Sequence, residues 1–410
     1  MSVRDKGKET VGILLLNLGG PDSLNAVKPF LYNLFSDREI IRLGPSFLQK
    51  PLAWLISTIR SKKTEKMYNL IRGKSPILDI TMAQAKALEE ALNQTTDYRL
   101  QTKDNPPLPP FNKEGEGGIF KVYIGMRYWN PFIKAAVENI LKDGIKHLIV
   151  LSLYPHYSKA TTGSALAEFK RVISECTPTH PSTLKGEGEG GGGMEVKYIK
   201  QWYDFPLYID SLAELISKGL SEFNENPPTS PFSKGRLNES PTLAKDTTHI
   251  PPLAKVMTRR GGEGGLLYDV LFSAHSLPER FIKEGDPYVD HINTTISEVC
   301  KRLYDSPYNI KNLKWHLSFQ SRSGTVKWLR PATDETIIKL AKEGVKNLLV
   351  VPISFVSDHV ETLYEIDILY KELAGRHGIN FKRCKSLNTS EKFINALKEL
   401  VMERIADDSR

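Results

Sequence analysis

The chain has 410 residues, 40% of them hydrophobic and 25% charged, which is enough for two globular domains with cores of their own. Its formal charge of +8 comes from scattered Lys and Arg without long basic runs, so no nucleic-acid partner is expected. The 3 cysteines, Cys176, Cys300 and Cys384, are far apart, which excludes a CxxC metal or redox motif and argues against a disulfide framework.

The first residues, MSVRDKGKET, are charged, and the apolar run after them, VGILLLNL, is too short for a signal peptide or a membrane span. No other stretch reaches the roughly 18 apolar residues that a spanning helix needs. We therefore expect a cytoplasmic protein, which can still touch a membrane surface.

Strand-like and helix-like patterns alternate along the chain. Helical patterns such as PFIKAAVENILKDG and TDETIIKLAKEG separate the strands, and this alternation predicts parallel sheets with crossover helices. Strands are predicted at 11–18, 119–126, 147–154, 194–200, 266–273, 314–320 and 347–355.

Three regions of low complexity, 105–118, 181–193 and 226–265, interrupt this pattern. Each contains a Pro-rich start, a Lys and a Gly/Glu-rich end, a composition that forms packed structure poorly. We interpret them as related loop insertions. Because each enters between a helix and the strand that follows, they belong at the amino edge of a parallel sheet, whereas ligands bind at the carboxyl edge.

The chain contains an internal repeat. KDGIKHLIVLSLYPHYS (142–158) and KEGVKNLLVVPISFVSDH (342–359) share the pattern K-[DE]-G-[IV]-K-x-L-[IL]-V-[LV]. Helix–Gly–strand connections can look alike by chance, but the matched length favours two similar α/β halves with a ligand cleft between them. We assign 1–157 to the first half, 158–387 to the second, and 388–410 to a C-terminal helix packing back on the first.

Several strand ends carry polar side chains. His275 ends the strand in YDVLFSAHSLP, where a histidine is either a structural hydrogen bonder or a proton acceptor, and the position favours the second. Arg127 and Tyr128 are either a capped loop or donors aimed into the cleft, and the sequence does not choose between these. Gln320 and Ser321, with Trp328 further on, form either a polar loop with a packing indole or a site for a flat anionic ligand. Asn17, Gly19 and Gly20 fit a tight turn better than a dinucleotide site, because GxGxxG is absent.

Acidic residues gather in VVPISFVSDHVETLYEID (350–367), where Asp358, Glu361 and Glu365 are spaced three and four residues apart, with His359 among them. The helix dipole explains Asp358 but hardly Glu365. Facing His275 across a cleft, such a strip would accept protons or carry a divalent cation, and its ligand types suit Fe(II) in passage better than permanently held Zn.

Residues 47–68 (FLQKPLAWLISTIRSKKTEKMY), here called the lip, combine a large apolar load with Lys and Arg. The apolar side chains are either core or an exposed surface that dips into a membrane interface.

Taken together, these motifs resemble the ferrochelatase family. They occur in the family's order: NLGGP (17–21), GKSP (73–76), LYPHYS (153–158), TTGS (161–164), FSAHSLP (272–278), SFQSR (318–322), WLRPATDE (328–335) and FVSDHVETLYEID (355–367).

The resemblance implies insertion of Fe(II) into protoporphyrin IX, giving protohaem and two protons. It implies two Rossmann-like (chelatase-type) domains, each a parallel β-sheet flanked by helices, with the active site in the cleft between them. It places the catalytic role on His275 and Glu361, and π-type turns in the acidic helix. The metal ligands it implies are His275, Glu361, Asp358, Glu365 and His359. The porphyrin contacts it implies are Arg127, Tyr128, Leu18, Arg60, Lys63, Tyr68, Ser75, Gln320, Ser321 and Trp328.

No permanently bound cofactor is expected, with Fe(II) acting as substrate. Members with a [2Fe–2S] cluster have a Cys-rich tail and a further Cys where this chain has Lys159, whereas this sequence ends ERIADDSR, so no cluster is expected. The alternatives are a coproporphyrin III ferrochelatase or related tetrapyrrole chelatase, and a haem or metal carrier using the same cleft. The lip implies peripheral contact with the inner face of the cell membrane.

Overall fold

A computed structural model describes residues 10–101, 119–176, 184–185, 193–225, 268–322 and 326–406. Its first sheet has 5 strands in the order β2-β1-β3-β5-β4, all pairing in parallel. These strands are β1 (Thr10–Asn17), β2 (Ile119–Met126), β3 (His147–Ser152), β4 (Leu184–Lys185) and β5 (Met194–Ile199).

The second sheet has 4 parallel strands in the order β7-β6-β8-β9. They are β6 (Asp269–His275), β7 (Lys314–Gln320), β8 (Asn347–Pro352) and β9 (Asn380–Arg383). Every residue of β8 is buried, as expected for a strand covered by helices on both faces.

Helices connect the strands as crossovers. Two further segments, Lys159–Gly163 and Glu361–Tyr370, are π-helices, and Leu24–Ala26 is a 3₁₀-turn. The α-helices are α1 (Val27–Ser36), α2 (Ser46–Leu70), α3 (Ile77–Gln101), α4 (Ile133–Lys142), α5 (Ser164–Cys176), α6 (Pro206–Glu225), α7 (Glu279–Lys283), α8 (Tyr288–Tyr304), α9 (Thr333–Lys342), α10 (Lys371–Arg376) and α11 (Glu391–Ala406).

The repeat predicted from the sequence is confirmed. Omitting the short β4, the two sheets have the same strand order, with β1 corresponding to β6 and β3 to β8. The backbone N–H of Leu153 donates to Leu16, and that of Ile353 donates to Ser273, at matching points after β3 and β8. Two α/β units of the same design therefore form the molecule.

The predicted strands are confirmed in place and direction, with ends that differ by up to three residues. β6 begins and ends later than predicted, so His275 is its last residue. β9 was missed because its four residues, NFKR, are half charged and too few to show a period. Residues 184–185 form a strand inside the predicted insertion 181–193, while its other described residue, Gly193, is a bend.

The predicted boundary at 157 is wrong. β5 lies beyond it yet pairs with β3, so the first sheet extends at least to Ile199. The three insertions do enter between a helix and the next strand, after α3, α5 and α6. Residues 105–118 and 226–265 lie outside the described residues. The C-terminal helix α11 packs on α3 and β5 of the first half and also on α6.

One apolar cluster joins the two halves. It includes Val11 and Leu15 of β1, Val270 and Phe272 of β6, and Leu397 of α11, each no more than 1% exposed. A second cluster packs α1 and α2 against Tyr128 and reaches three residues at the start of the Glu361–Tyr370 π-helix: Val360, Leu363 and Tyr364. The carboxyl edge of the first sheet, the lip and this π-helix thus border one cleft.

Candidate active site

His275 stands at the carboxyl end of β6, and a closed set of hydrogen bonds fixes its backbone. Its N–H donates to Ser354 Oγ at 2.8 Å, and its carbonyl accepts from the Tyr288 hydroxyl at 2.9 Å. Tyr288 and Ser354 also contact each other, with 2.7 Å between their hydroxyl oxygens. The side chain of His275 therefore starts from a rigid peptide.

The imidazole of His275 is paired with Glu361. Nδ1 of His275 lies 2.9 Å from Glu361 Oε2, and the same oxygen accepts from Gln320 Nε2 at 3.2 Å. Gln320 ends β7, and its own Oε1 accepts from Ser273 at 2.6 Å, which fixes the orientation of its amide. Because Glu361 holds the Nδ1 side, Nε2 of the 29% exposed imidazole is the nitrogen left to face the cleft.

Opposing effects set the pKa values of this pair. Burial by itself would lower the pKa of His275, but the charge and hydrogen bond of Glu361, aided by Glu365, raise it above its usual value. Burial would raise the pKa of Glu361, but His275 and His359 outweigh it and hold that pKa well below the usual range. The carboxylate of Glu361 therefore stabilises the imidazolium that forms when His275 takes up a proton, so His275 is a stronger proton acceptor than a free histidine.

The Glu361–Tyr370 segment is a π-helix, as the family resemblance implied. Its i→i+5 turns are wider than those of an α-helix. Ile366 and Tyr370 pack into the second half, while Leu363 and Tyr364 contact the cluster of α1 and α2. The helix therefore touches both halves and presents Glu361 between them.

Glu365 lies one turn further along this helix and accepts a hydrogen bond from Ser321 Oγ at 2.6 Å. Ser321 follows β7 with a φ of 64°, a left-handed conformation that is uncommon outside glycine. Burial, followed by the charge of Glu361, raises the pKa of Glu365 to about 7. Glu365 can therefore take up or release a proton near neutral pH.

His359 and Asp358 precede this helix but differ in their surroundings. Nδ1 of His359 donates to the carbonyl of Ser357 at 3.0 Å, and its buried Nε2 lies 3.9 Å from Glu361 Oε2. Asp358 instead accepts hydrogen bonds from Thr362, Arg383, Ser386 and Asn388. The structure brings His359 to the pair and turns Asp358 away from it.

Arg127 and Tyr128, which follow β2, are organised by residues that the sequence did not single out. The buried carboxylate of Asp37 lies 2.9 Å from the Arg127 guanidinium and 2.6 Å from the Tyr128 hydroxyl. Ser164 donates to Asp37 and accepts from Arg127 Nε at 2.8 Å. The sequence left open whether Arg127 and Tyr128 cap a loop or donate into the cleft. In the structure they border the cleft and also belong to a hydrogen-bond network around Asp37.

Electrostatic coupling connects the two sides of the cleft. Burial raises the pKa of Tyr154, the positive charge of Arg127 offsets part of this, and Glu361 adds to it. Burial raises the pKa of Tyr68 on α2, and the charge of Glu361 raises it further. Tyr154 and Tyr68 therefore lie within range of the carboxylate of Glu361.

The other predicted porphyrin contacts are spread around the cleft. Leu18 packs against the α1–α2 cluster. Ser75 is buried before α3, so close to Gly20 that a Cβ there would lie 2.5 Å from its hydroxyl. Arg60 and Lys63 are exposed on α2. Trp328 bridges to Pro278 after β6.

No group of three or more His, Cys, Asp or Glu in the described ranges is arranged to hold a metal ion. Metal ligation by His275, Glu361, Asp358, Glu365 and His359 therefore stays a prediction. Asp37, Ser164, Tyr288 and Ser354 were missed because single polar residues in loops and helix starts give no periodic or motif signal.

These features define a two-domain α/β enzyme with a carboxylate-supported proton acceptor in the cleft between its halves. The ferrochelatase family model matches residues 10–233 and 252–405. The chain is 44% identical over 401 residues to a ferrochelatase of Geotalea uraniireducens, covering 98% of this chain and 99% of the relative. It is 43% identical over 394 residues to that of Geobacter metallireducens, covering 96% and 98%.

It is also 42% identical over 399 residues to a ferrochelatase of Synechocystis sp., covering 97% and 83%. Among solved structures, a distant similarity to SirB from Bacillus subtilis with Fe3+ covers 98% and 97% of the two chains, with a TM-score of 0.45 and 12% identity. The chain belongs to the ferrochelatase family. It is a lyase of haem biosynthesis that inserts iron into a porphyrin.

Proposed function

We propose that the porphyrin is protoporphyrin IX and that His275 and Glu361 remove its pyrrole protons as Fe(II) enters. The observation that carries the role in proton removal is the 2.9 Å contact between His275 Nδ1 and Glu361 Oε2 at the carboxyl end of β6. With Nδ1 engaged, Nε2 accepts the proton from a pyrrole nitrogen. The imidazolium that forms is stabilised by the adjacent carboxylate.

Metallation releases two protons, so His275 must pass on the first before it takes the second. Glu365, with its pKa raised to about 7 by burial and by Glu361, is matched to that task. His359 Nε2, 3.9 Å from Glu361 Oε2, offers a second nitrogen beside the same carboxylate. Glu361, Glu365 and His359 are then the residues that exchange protons or iron with His275. Asp358 takes no part in this exchange and instead stabilises the start of the helix.

The porphyrin would lie between the apolar side chains bordering the lip and the His275 side of the cleft. In this proposal Leu18, which packs on the α1–α2 cluster, would contact the macrocycle, and the exposed Arg60 and Lys63 of α2 would meet the two propionates of the substrate. Coproporphyrin carries four propionates, which the apolar lip would accommodate poorly.

The test compares anaerobic insertion of Fe(II) into protoporphyrin IX and coproporphyrin III, followed by absorbance, with Zn(II) as a control metal. We expect a kcat/KM at least about tenfold higher for protoporphyrin, equivalent to about 1.4 kcal/mol. A preference for coproporphyrin would contradict the substrate proposal. Tight porphyrin binding without metallation would indicate a carrier.

We propose in addition that the lip contacts the inner surface of the cell membrane, from which an apolar porphyrin would enter. Phe47, Trp54 and Ile59 on α2 are 76%, 56% and 70% exposed, and Lys50, Lys62 and Lys63 flank them. Apolar side chains with neighbouring cations suit an anionic lipid interface. None of the helices within the described residues is long and apolar enough to cross a membrane.

Sedimentation with anionic vesicles tests this contact. The parent chain should sediment with the vesicles, and Trp54→Asp should weaken binding about tenfold or more. A matched exposed position outside the lip, Trp315→Asp, should bind as the parent does. Equal binding by the parent and Trp54→Asp would contradict the lip's role.

We propose finally that catalysis uses no resident cofactor. The described cysteines, Cys176, Cys300 and Cys384, are unpaired and too far apart in the sequence to form a CxxC motif. Purified chain without visible absorbance should be fully active, whereas activity that depends on a chromophore removed by chelation would contradict this.

A further inference from the structure

Arg383, the last residue of β9, lies behind the acidic helix rather than in the cleft. Its guanidinium is 11% exposed and makes two ion pairs: Nη1 lies 2.9 Å from Asp358 Oδ1, and Nε lies 2.8 Å from Asp367 Oδ1. Burial would lower its pKa, but the two carboxylates raise it, so the guanidinium remains charged. A planar guanidinium can bridge two carboxylates, which a lysine ammonium does poorly.

The two partners of Arg383 flank the reactive carboxylates along the chain. Asp358 stands before the π-helix, Asp367 lies in its second turn, and Glu361 and Glu365 fall between them. Asp358 is fixed from several sides, by Thr362, Ser386 and Asn388 as well as by Arg383. Asp367 is held by Arg383. One guanidinium therefore ties the second turn of the helix to Asp358, which is fixed just before the helix begins.

This bridge depends on the π-helical register. If the segment from Glu361 to Asp367 were wound as an ordinary α-helix, Asp367 would rotate about the axis by roughly a quarter of a turn or more relative to Glu361. Its carboxylate would leave Arg383, and Glu365 would rotate away from Ser321, to which it is bonded at 2.6 Å. The contact with Arg383 thus favours the same register that aims Glu365 at the end of β7.

We propose that Arg383 is a positioning residue that holds the acidic helix in its π-helical register through Asp367, so that Glu361 and Glu365 stay aligned with His275 and Ser321. The proposal rests on the proposed function of these carboxylates. It assigns Arg383 no contact with substrate. Its effect on turnover is exerted through the helix it braces.

The test uses Arg383→Gln, Arg383→Lys and Asp367→Asn in the full chain, with Arg376→Gln as the matched control. Arg376 forms an i,i+4 ion pair with Glu372 on the next helix and is 71% exposed, so its loss removes an ion pair without touching the brace. For each variant we would measure kcat and KM for porphyrin under anaerobic Fe(II), porphyrin binding by fluorescence, and the thermal midpoint. Asp367 is 36% exposed, so Asp367→Asn is expected to fold even if Arg383→Gln does not.

We expect kcat to fall about tenfold or more in Arg383→Gln and Arg383→Lys and severalfold in Asp367→Asn, since small misalignments of reacting groups are costly. KM and porphyrin affinity should stay within about twofold in all of them, because the lip side of the cleft is unchanged. In the Arg383→Gln/Asp367→Asn double variant the losses should be less than additive.

The proposal is overturned if folded Asp367→Asn keeps the parent's kcat. It is also overturned if kcat and KM change together with the thermal midpoint in every variant, which would mark a purely structural role. Failure of the proposed function would look different: Glu361→Gln and Glu365→Gln would then keep the parent's kcat, whatever the Arg383 variants do.

Discussion

The two halves share one topology but contribute opposite chemistry to the cleft. Leu16 and Ser273 occupy matching positions after alignment of the sheets, so two residues further on Leu18 corresponds to His275. By the same alignment Arg127 and Tyr128 correspond to Gln320 and Ser321. The first half supplies apolar surface and a cation, and the second supplies a base and its carboxylates.

The difference extends to the π-helices that follow β3 and β8. In the repeat alignment, Thr161 and Ala165 of the first half stand where Glu361 and Glu365 stand in the second. At these two positions only the second half therefore carries carboxylates. The two halves therefore share a backbone that places residues at equivalent positions. A few side chains at those positions determine that the first half binds the porphyrin and the second carries out the chemistry.

Replacing the two corresponding strand-end residues gives the largest expected contrast. His275→Ala should lower kcat about 1,000-fold, because a positioned general base contributes roughly two to four orders of magnitude. Leu18→Ala should act mainly on KM. Steady-state anaerobic kinetics would check both, and porphyrin binding by fluorescence should survive in His275→Ala. Near-parent turnover by His275→Ala would contradict the proposal that the second half carries out the chemistry.

The pH dependence of stability in a Glu365 variant tests whether the carboxylate of Glu365 is destabilising when it is charged. Its folded pKa of about 7 lies above its ordinary value because of burial and the neighbouring charge of Glu361. The unfolded chain then binds fewer protons between pH 4.5 and 7, so this group's contribution to stability falls as pH rises through that window and stays low above it. Glu365→Gln should raise the free energy of unfolding on the order of 2 kcal/mol at pH 8.

Chemical denaturation at pH 8 and pH 4.5 would measure this effect, and the gain should vanish at the lower pH. Ala165→Ser, at the corresponding position of the first half, serves as the control and should show no such pH dependence. A gain of equal size at both pH values would mean that the charge of Glu365 is not the cause.

A substitution of Asp37 tests the proposed role of the first half in porphyrin binding. Asp37→Asn removes the charge that holds Arg127 and Tyr128, so both lose their fixed orientation while the His275 side is untouched. We expect KM for porphyrin to rise about tenfold with kcat within about threefold. Titration of porphyrin fluorescence provides an independent check. A selective loss of kcat would place Asp37 in the chemistry and contradict its assignment to porphyrin binding.

The smallest expected effect on kinetics comes from Lys63. It is exposed on α2, so its attraction for a propionate is screened by solvent. Lys63→Ala should raise KM about two- to threefold at low salt and less at high salt, because surface electrostatics weaken with ionic strength. A KM that responds equally at both salt concentrations would argue for a packing role of the lysine stem.

Much of this arrangement could be predicted from the sequence, for reasons that particular residues make plain. His275 was recognisable because a buried apolar run ends at it, and the acidic strip because three carboxylates follow a strand at helical spacing. The repeat was visible because its helix–Gly–strand unit is almost unaltered. Each of these signals lies within a short stretch of the chain, so it can be recognised from the sequence alone.

What could not be predicted depends on contacts between distant segments. Asp37 is one acid in NLFSDREI, and its partners Tyr128 and Ser164 lie far along the chain. Arg383 is one cation in a strand too short to recognise, and its role depends on Asp367 being rotated toward it. The boundary at 157 failed because a strand that belongs to the first sheet comes after the repeat motif.

The apolar cluster common to both sheets has a consequence for the catalytic cycle. Side chains of β1, β6 and α11 are packed into the same core, so a hinge motion of one half against the other would expose that core to water. Haem must therefore leave without the halves parting. The part of the cleft wall with the most exposed side chains is the lip, so the exit of product is expected to need only a local movement of the lip at the mouth of the cleft.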